Sequence, residues 1–159
     1  MYMKKGEFAF GVGRINPMKA IELGLVYEAL KEDYIKCFVA LTLGRVCKDV
    51  KGSQKDLNYP SMQALIESGK SFTDEFSRTV TNVGPVGSTY KAKVITVSHI
   101  NVSVKPSALS FRSSGEKNSF VVTVSGKGLP IKIRVSASIM WSDGTHNVRS
   151  PIVVYTNEA

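Results

Sequence analysis

The chain has 159 residues, 43% hydrophobic and 21% charged, a composition that excludes a disordered polypeptide and suits a globular domain that folds without staples. The formal charge of +8 raises nucleic acid as a partner, but apart from Lys4 and Lys5 the basic residues are spaced singly, with no aromatic-interleaved basic stripe, so none is expected. No segment approaches the roughly 20 apolar residues of a membrane span, and MYMKKGEFAFGVG lacks an apolar run of secretory length, so no membrane partner is expected and the chain as written would stay in the cytoplasm.

Residues 8–44 differ in character from the rest of the chain. Pro17 suits the first position of a short helix over residues 18–23, ended by Gly24. A second helix is predicted from Lys31, with Tyr34, Phe38 and Leu41 on one face, Ile35 and Thr42 flanking it, and Gly44 where a C-terminal cap glycine belongs. That face is too apolar for one helix to cover, and self-association through it is the expectation if nothing else packs there. Cys37 and Cys47 cannot make a four-ligand zinc site alone, which leaves two free thiols or one disulfide. No cofactor-binding motif is present. Gly11 and Gly13 lack the third glycine of a dinucleotide fingerprint because Asn16 holds its place, and Gly69-Lys70-Ser71 is no phosphate loop because Ala64 stands where the first glycine is required.

From residue 56 onward the pattern changes to short strands. Residues 61–66 read weakly as a strand, and residues 76–83 read FSRTVTNV. In residues 89–97, Tyr90, Ala92, Val94 and Thr96 alternate with Lys91, Lys93 and Ile95. Val102 and Val104 come next, then Phe120, Val122 and Val124. Residues 131–155 predict a long closing hairpin: Ile131, Ile133, Val135, Ala137 and Ile139 fall on one face, and Asp143-Gly144 fits a two-residue type I′ turn. The return strand runs through Val148, Ile152 and Val154. Pro151 lacks a ladder donor, so it belongs at a bulge, a break or a sheet edge. Trp141 is expected to pack rather than bind a ligand. About seven strands separated by turn signals, with no cysteine among them, predict a fibronectin type III-like, immunoglobulin-like antiparallel β-sandwich.

Several of these stretches together resemble one family. GVGRINPMKAIELGLVYEALKEDYIK, DLNYPS at residues 56–61, FSRTVTNVG at residues 76–84, Val102, Val104, Pro106, Leu109 and Phe111 in a VxVxPxxLxF pattern, and WSDG with His146 and then VRSPIVV are similar to the C-terminal part of plant subtilisin-like serine proteases, the cucumisin-like subtilases. Arg14, Leu23 and Glu28 stand where that family usually has His, Pro and Asp. The resemblance implies a remnant of the α/β catalytic domain, one or two helices, over residues 1–55, and a fibronectin type III-like domain over residues 56–159. It also offers Cys37 and Cys47 as a disulfide candidate, although Cys37 directly follows YIK and the family cysteine comes about two residues later. The family setting is extracellular or the cell wall, and the expected partner is the catalytic domain of the same chain, on which this domain packs.

A subtilase needs a Ser, His and Asp triad with an oxyanion hole. These residues contain no GTSMAxPH-type serine motif, and the regions that supply the catalytic Asp, His and oxyanion Asn are absent, so no catalytic residue is assigned and no peptidase activity is expected. His99 and His146 are expected in exposed loops, with no GxSxG elbow. Asn101-Val102-Ser103 is the single N-x-S/T sequon and makes Asn101 a glycosylation candidate in a secreted parent. The competing expectation is an independent β-sandwich protein-binding module or oligomerisation domain, since loops and sheet edges of sandwiches commonly bind other molecules.

Overall fold

The alternation of apolar and polar residues after residue 60 is what a sheet with one wet face requires, because successive side chains point to opposite faces. The computed structural model describes residues 23–34, 54–96 and 99–156, and nine strands form among them. They are β1 (Leu25–Tyr27), β2 (Met62–Ile66), β3 (Ser71–Asn82), β4 (Thr89–Ile95), β5 (Ile100–Lys105), β6 (Ala108–Ser110), β7 (Lys117–Lys127), β8 (Arg134–Ser142) and β9 (Asn147–Thr156). They make a five-stranded sheet in the order β2-β9-β8-β4-β6 and a four-stranded sheet in the order β1-β3-β7-β5. This is the expected mainly β sandwich, with two strands more than the seven predicted.

The extra strands are the short ones. β6 pairs with β4 from Thr89↔Ser110 to Lys91↔Ala108. β1 pairs antiparallel with the end of β3 through Leu25↔Asn82, Val26↔Thr81 and Tyr27↔Val80. Leu25 is buried, so three residues that the sequence assigned to the N-terminal portion serve as a strand of the sandwich. The second helix begins at Lys31 as expected, but only residues 31–34 are described. Its remainder, Cys37, Cys47 and most of the first predicted helix lie outside the described residues.

Between the sheets lies one core built from inward positions of both. Trp141 packs edge-on against Phe120 with ring centroids 5.0 Å apart, Tyr27 meets Phe120 at 6.5 Å, and Tyr90 meets Phe111 at 6.0 Å. Each such pair contributes about 0.5–1.5 kcal/mol beyond the area it buries. Phe76, Val80, Val122 and Val124 line the four-stranded side, and Val135, Ala137, Ile139, Ile152 and Val154 the other.

The closing hairpin departs from expectation in three places. β8 starts at Arg134, because Lys132 adopts a positive φ of 56° and the chain turns there, which leaves Ile131 exposed and not in the core face. The loop between β8 and β9 has four residues, not two: Ser142 pairs with Asn147, and only Gly144 takes a positive φ, 96°. A type I′ turn would need Asp143 to do the same, but Asp143 instead spends its carboxylate on the amides of Thr145 and His146, at 2.8 and 2.6 Å. Pro151 is inside β9 opposite Ser138, and the parallel ladder to β2 begins only at the next residue, Ile152↔Met62, so β9 is locally an edge where its proline stands.

Candidate functional site

The residues that repeat as motifs meet along one seam, where the segments before β2 lie against the end of the sandwich. Phe76, Arg78 and Val80 occupy successive inward positions of β3, so the sequence aims a guanidinium at the core side. Arg78 is 3% exposed and is satisfied there: Nε donates to the Tyr59 carbonyl at 2.9 Å, and Nη1 donates to the carbonyls of Lys55 and Ser77, both at 2.7 Å. Its guanidinium also stands 5.6 Å from the centre of the Phe76 ring. Burial pulls its pKa below the ordinary guanidinium value, offset in part by Tyr27 and Asp56. The neighbouring Lys55 ammonium pairs with Asp74.

Asn58 acts as a substitute strand partner. Its Oδ1 accepts the Thr79 amide at 2.9 Å while its Nδ2 donates to the Thr79 carbonyl and to the Glu28 carbonyl, both at 2.8 Å. One side chain thus ties β3 to the segment after β1 and to the segment before β2. Glu28 itself receives Lys117 Nζ at 2.6 Å and the Thr81 hydroxyl at 2.7 Å, and these two donors hold its carboxyl below the usual range. Tyr27 Oη and Ser150 Oγ lie 2.6 Å apart and link β1 to the opposite sheet; burial raises the phenol, with the Ser150 bond working the other way. Glu28, Leu30, Asp33, Asp56 and Lys117 line a groove of about 320 Å³ along this seam.

The second half of the seam is the hairpin tip. Gly24 passes so close to it that a Cβ there would lie 2.6 Å from Tyr90 Oη and 2.8 Å from His146 Cβ, so only glycine fits. The Gly24 carbonyl accepts the amides of Val83 and Gly84 at 3.0 and 3.1 Å. Asn82, fully buried, closes this corner: its Oδ1 takes the Gly84 amide and its Nδ2 donates to the carbonyls of Pro85 and Ser113. Beneath Gly24, Tyr90 Oη and, deeper in the core, Trp141 Nε1 are enclosed without a well-formed hydrogen bond among the described residues. Burial, and after it the charge of Asp143, pushes the Tyr90 phenol up to about 12.

His146 is not the exposed loop residue expected. Its side chain is 14% exposed and Nδ1 is 2.8 Å from Asp143 Oδ2. Burial works against the Asp143 carboxylate, but the His146 and Thr145 amides and the His146 ring outweigh it and hold the group at about 2. A carboxylate beside an imidazole is two thirds of a triad, yet among the described residues no hydroxyl or thiol completes it, and the ring is packed against the Gly24 backbone. The pair braces the hairpin tip. No group of three or more His, Cys, Asp or Glu that could hold a metal occurs among the described residues. His99 is exposed in a turn, as expected, and Asn101 is exposed on β5.

Sequence reading singled out the motifs but not what Arg78, Asn58, Glu28 and Asn82 do. One signal was available: a cation at an inward position between Phe76 and Val80 demands buried acceptors, and the DLNYPS segment supplies one of them, the Tyr59 carbonyl.

The family model described as Fibronectin type-III domain matches residues 56–154. Among curated proteins, the chain is similar to Subtilisin-like protease SBT4.8 of Arabidopsis thaliana, 51% identical across 94% of this chain and 23% of the relative. Subtilisin-like protease SBT4.10 of the same plant is 50% identical across 96% of this chain and 24% of its own length, and SBT4.3 is 46% identical across 98% and 23%. The chain therefore spans about a quarter of the length of the curated relatives it matches.

Proposed function

This chain belongs to the fibronectin type-III domain family and its relatives are subtilisin-like proteases, and from that premise we propose that it is the non-catalytic C-terminal part of a subtilisin-like serine endopeptidase whose sandwich packs on and stabilises the protease body. The supporting observation is the seam. Leu25–Tyr27 is a strand of the four-stranded sheet, and Arg78, Asn58, Thr81 and Lys117 bind the segment after β1 and the segment before β2 to that sheet. A sandwich tied so closely to the chain that leads into it is held in fixed orientation, which is what a supporting domain needs and a freely tethered binding module does not. In this reading the 159 residues hold no catalytic nucleophile and cleave no peptide, and the parent works outside the cell or in the cell wall.

The test is complementation. An Arabidopsis SBT4 protease lacking its own fibronectin type III-like domain is mixed with the purified chain, and the half-life of its peptidase activity and its melting temperature are measured. Both rise on this proposal, while the chain alone hydrolyses no casein and takes no serine-directed fluorophosphonate label. No gain in half-life at saturating chain overturns it. A second reading, self-association through the helix that begins at Lys31, draws on Leu30 and Tyr34, which are 62% and 48% exposed. Sedimentation of the chain alone separates the two: a defined oligomer that dissociates in Tyr34→Asp supports the second.

A further inference from the structure

The outer face of the four-stranded sheet is covered in hydroxyls. Across β3, β7 and β5, the outward residues form rows in register: Thr73, Ser125 and Asn101, then Glu75, Thr123 and Ser103. Thr79 and Ser119 continue the pattern, with their hydroxyls 2.8 Å apart. Asn101 and Ser103 are two apart on one strand and so present their side chains on the same outward face, where both are exposed. β5 is at the end of its sheet among the described residues. The Asn101 amide makes no side-chain hydrogen bond among the described residues, and it borders a shallow basin of about 770 Å³ that also touches Ser71, Thr73, His99 and Ser125.

We infer that Asn101 is an N-glycan acceptor, and that its glycan lies over this hydroxyl face, which makes the four-stranded sheet the solvent side of the domain. The sequon Asn101-Val102-Ser103 supplies the acceptor and the Ser103 hydroxyl that the transfer requires. The donor is an oligosaccharide carried on a lipid pyrophosphate. Asn101 Nδ2 forms the bond to the anomeric carbon, the bond from that carbon to the pyrophosphate oxygen breaks, the lipid pyrophosphate leaves, and one amide proton goes to a base of the transferase. Transfer occurs on the emerging chain, so the structure's contribution is to show that the product fits: both sequon side chains stay outside the core, and the surrounding surface is polar and can hydrogen-bond a sugar.

The glycan assignment rests on the proposed reading for secretion of the parent, but its test fails separately from that of the protease body. The full chain is placed behind a secretory leader in a mammalian host, purified, and digested with peptide N-glycosidase, which converts a glycosylated Asn to Asp. The expected result is one glycan per chain, marked at residue 101 by mass spectrometry, with complete loss of the shift in both Asn101→Gln and Ser103→Ala. The second variant keeps the asparagine and so separates loss of the sequon from loss of the side chain. The glycosylated and Asn101→Gln chains are also expected to share one cooperative urea midpoint. An unmarked residue 101 in cells that glycosylate a control protein overturns the inference, as does a glycosylated chain that does not unfold cooperatively when Asn101→Gln does.

Discussion

The two sheets share a core but differ on their outer faces. On β3 the outward positions Ser71, Thr73, Glu75 and Ser77 are all exposed, so over residues 71–78 burial follows the pleat. On β9, residues Ser150 to Val154 are buried without a break. Val153 is 3% exposed, yet it is not part of the core cluster, and its outward neighbours Pro151 and Ser138 are buried beside it. Period two is thus visible in sequence only where one face meets water; where both faces are dry, the strand reads as a continuous apolar run, as PIVVY does.

The sharpest way to break this comparison is one substitution made on each outer face. Val153→Asp places an unpaired carboxylate in a dry site and is expected to cost about 3–5 kcal/mol in urea unfolding. Val121→Asp, on the outer face of β7, is expected to stay within about 1 kcal/mol of the parent, as surface changes do. Equal costs would mean that the two faces are alike. Next in size is Arg78→Ala, which strips the donor from the Lys55 and Tyr59 carbonyls. A loss of about 2–3 kcal/mol is expected, with early protease cleavage near residues 54–60, and an unchanged cleavage pattern would show the seam to be held by other contacts.

Two smaller effects concern the hairpin tip. Asp143 has a pKa of about 2 in the folded chain, below its ordinary 3.8, so the stability it contributes is fully present above the ordinary value and is lost as pH falls towards 2. The melting temperature is expected to drop more steeply over that window in the parent than in Asp143→Asn, and parallel curves would remove the carboxylate from the brace. Smallest is Tyr90→Phe. Because the hydroxyl is enclosed without a well-formed hydrogen bond among the described residues, its removal is expected to leave stability unchanged or to raise it by up to about 1 kcal/mol. A clear loss would reveal a hydrogen bond to that oxygen.

The sandwich was legible because most of its strands turn one face to water: Tyr90, Val102, Val104, Phe120, Val122 and Val124 all point inward, as their spacing predicts. The elements that escaped did so for physical reasons. β1 and β6 are three residues each, too short for any periodicity to register. Ile131 continues the apolar alternation, but the turn at Lys132 is set by backbone conformation that the side-chain pattern does not encode. The seam was half legible. Its motifs stood out, but the bonds of Arg78 and Asn58 join residues about twenty positions apart, and such pairings depend on register, which a pattern read along a single strand does not contain.

The parallel ladder between β2 and β9 joins the first strand of the main run to the last, from Met62↔Ile152 to Ile66↔Thr156. During synthesis β2 therefore emerges from the ribosome long before its partner exists, and it waits unpaired while β4, β6, β8 and β9 build the sheet from the other side. A nascent chain stopped before Ile152 would carry β2 unpaired and Arg134–Ala137 of β8 as an open edge, both templates for pairing with other chains. Folding of this sheet is thus coupled to synthesis of Ile152–Thr156, and a stop before Ile152 would yield an aggregation-prone product, not a slightly shortened domain.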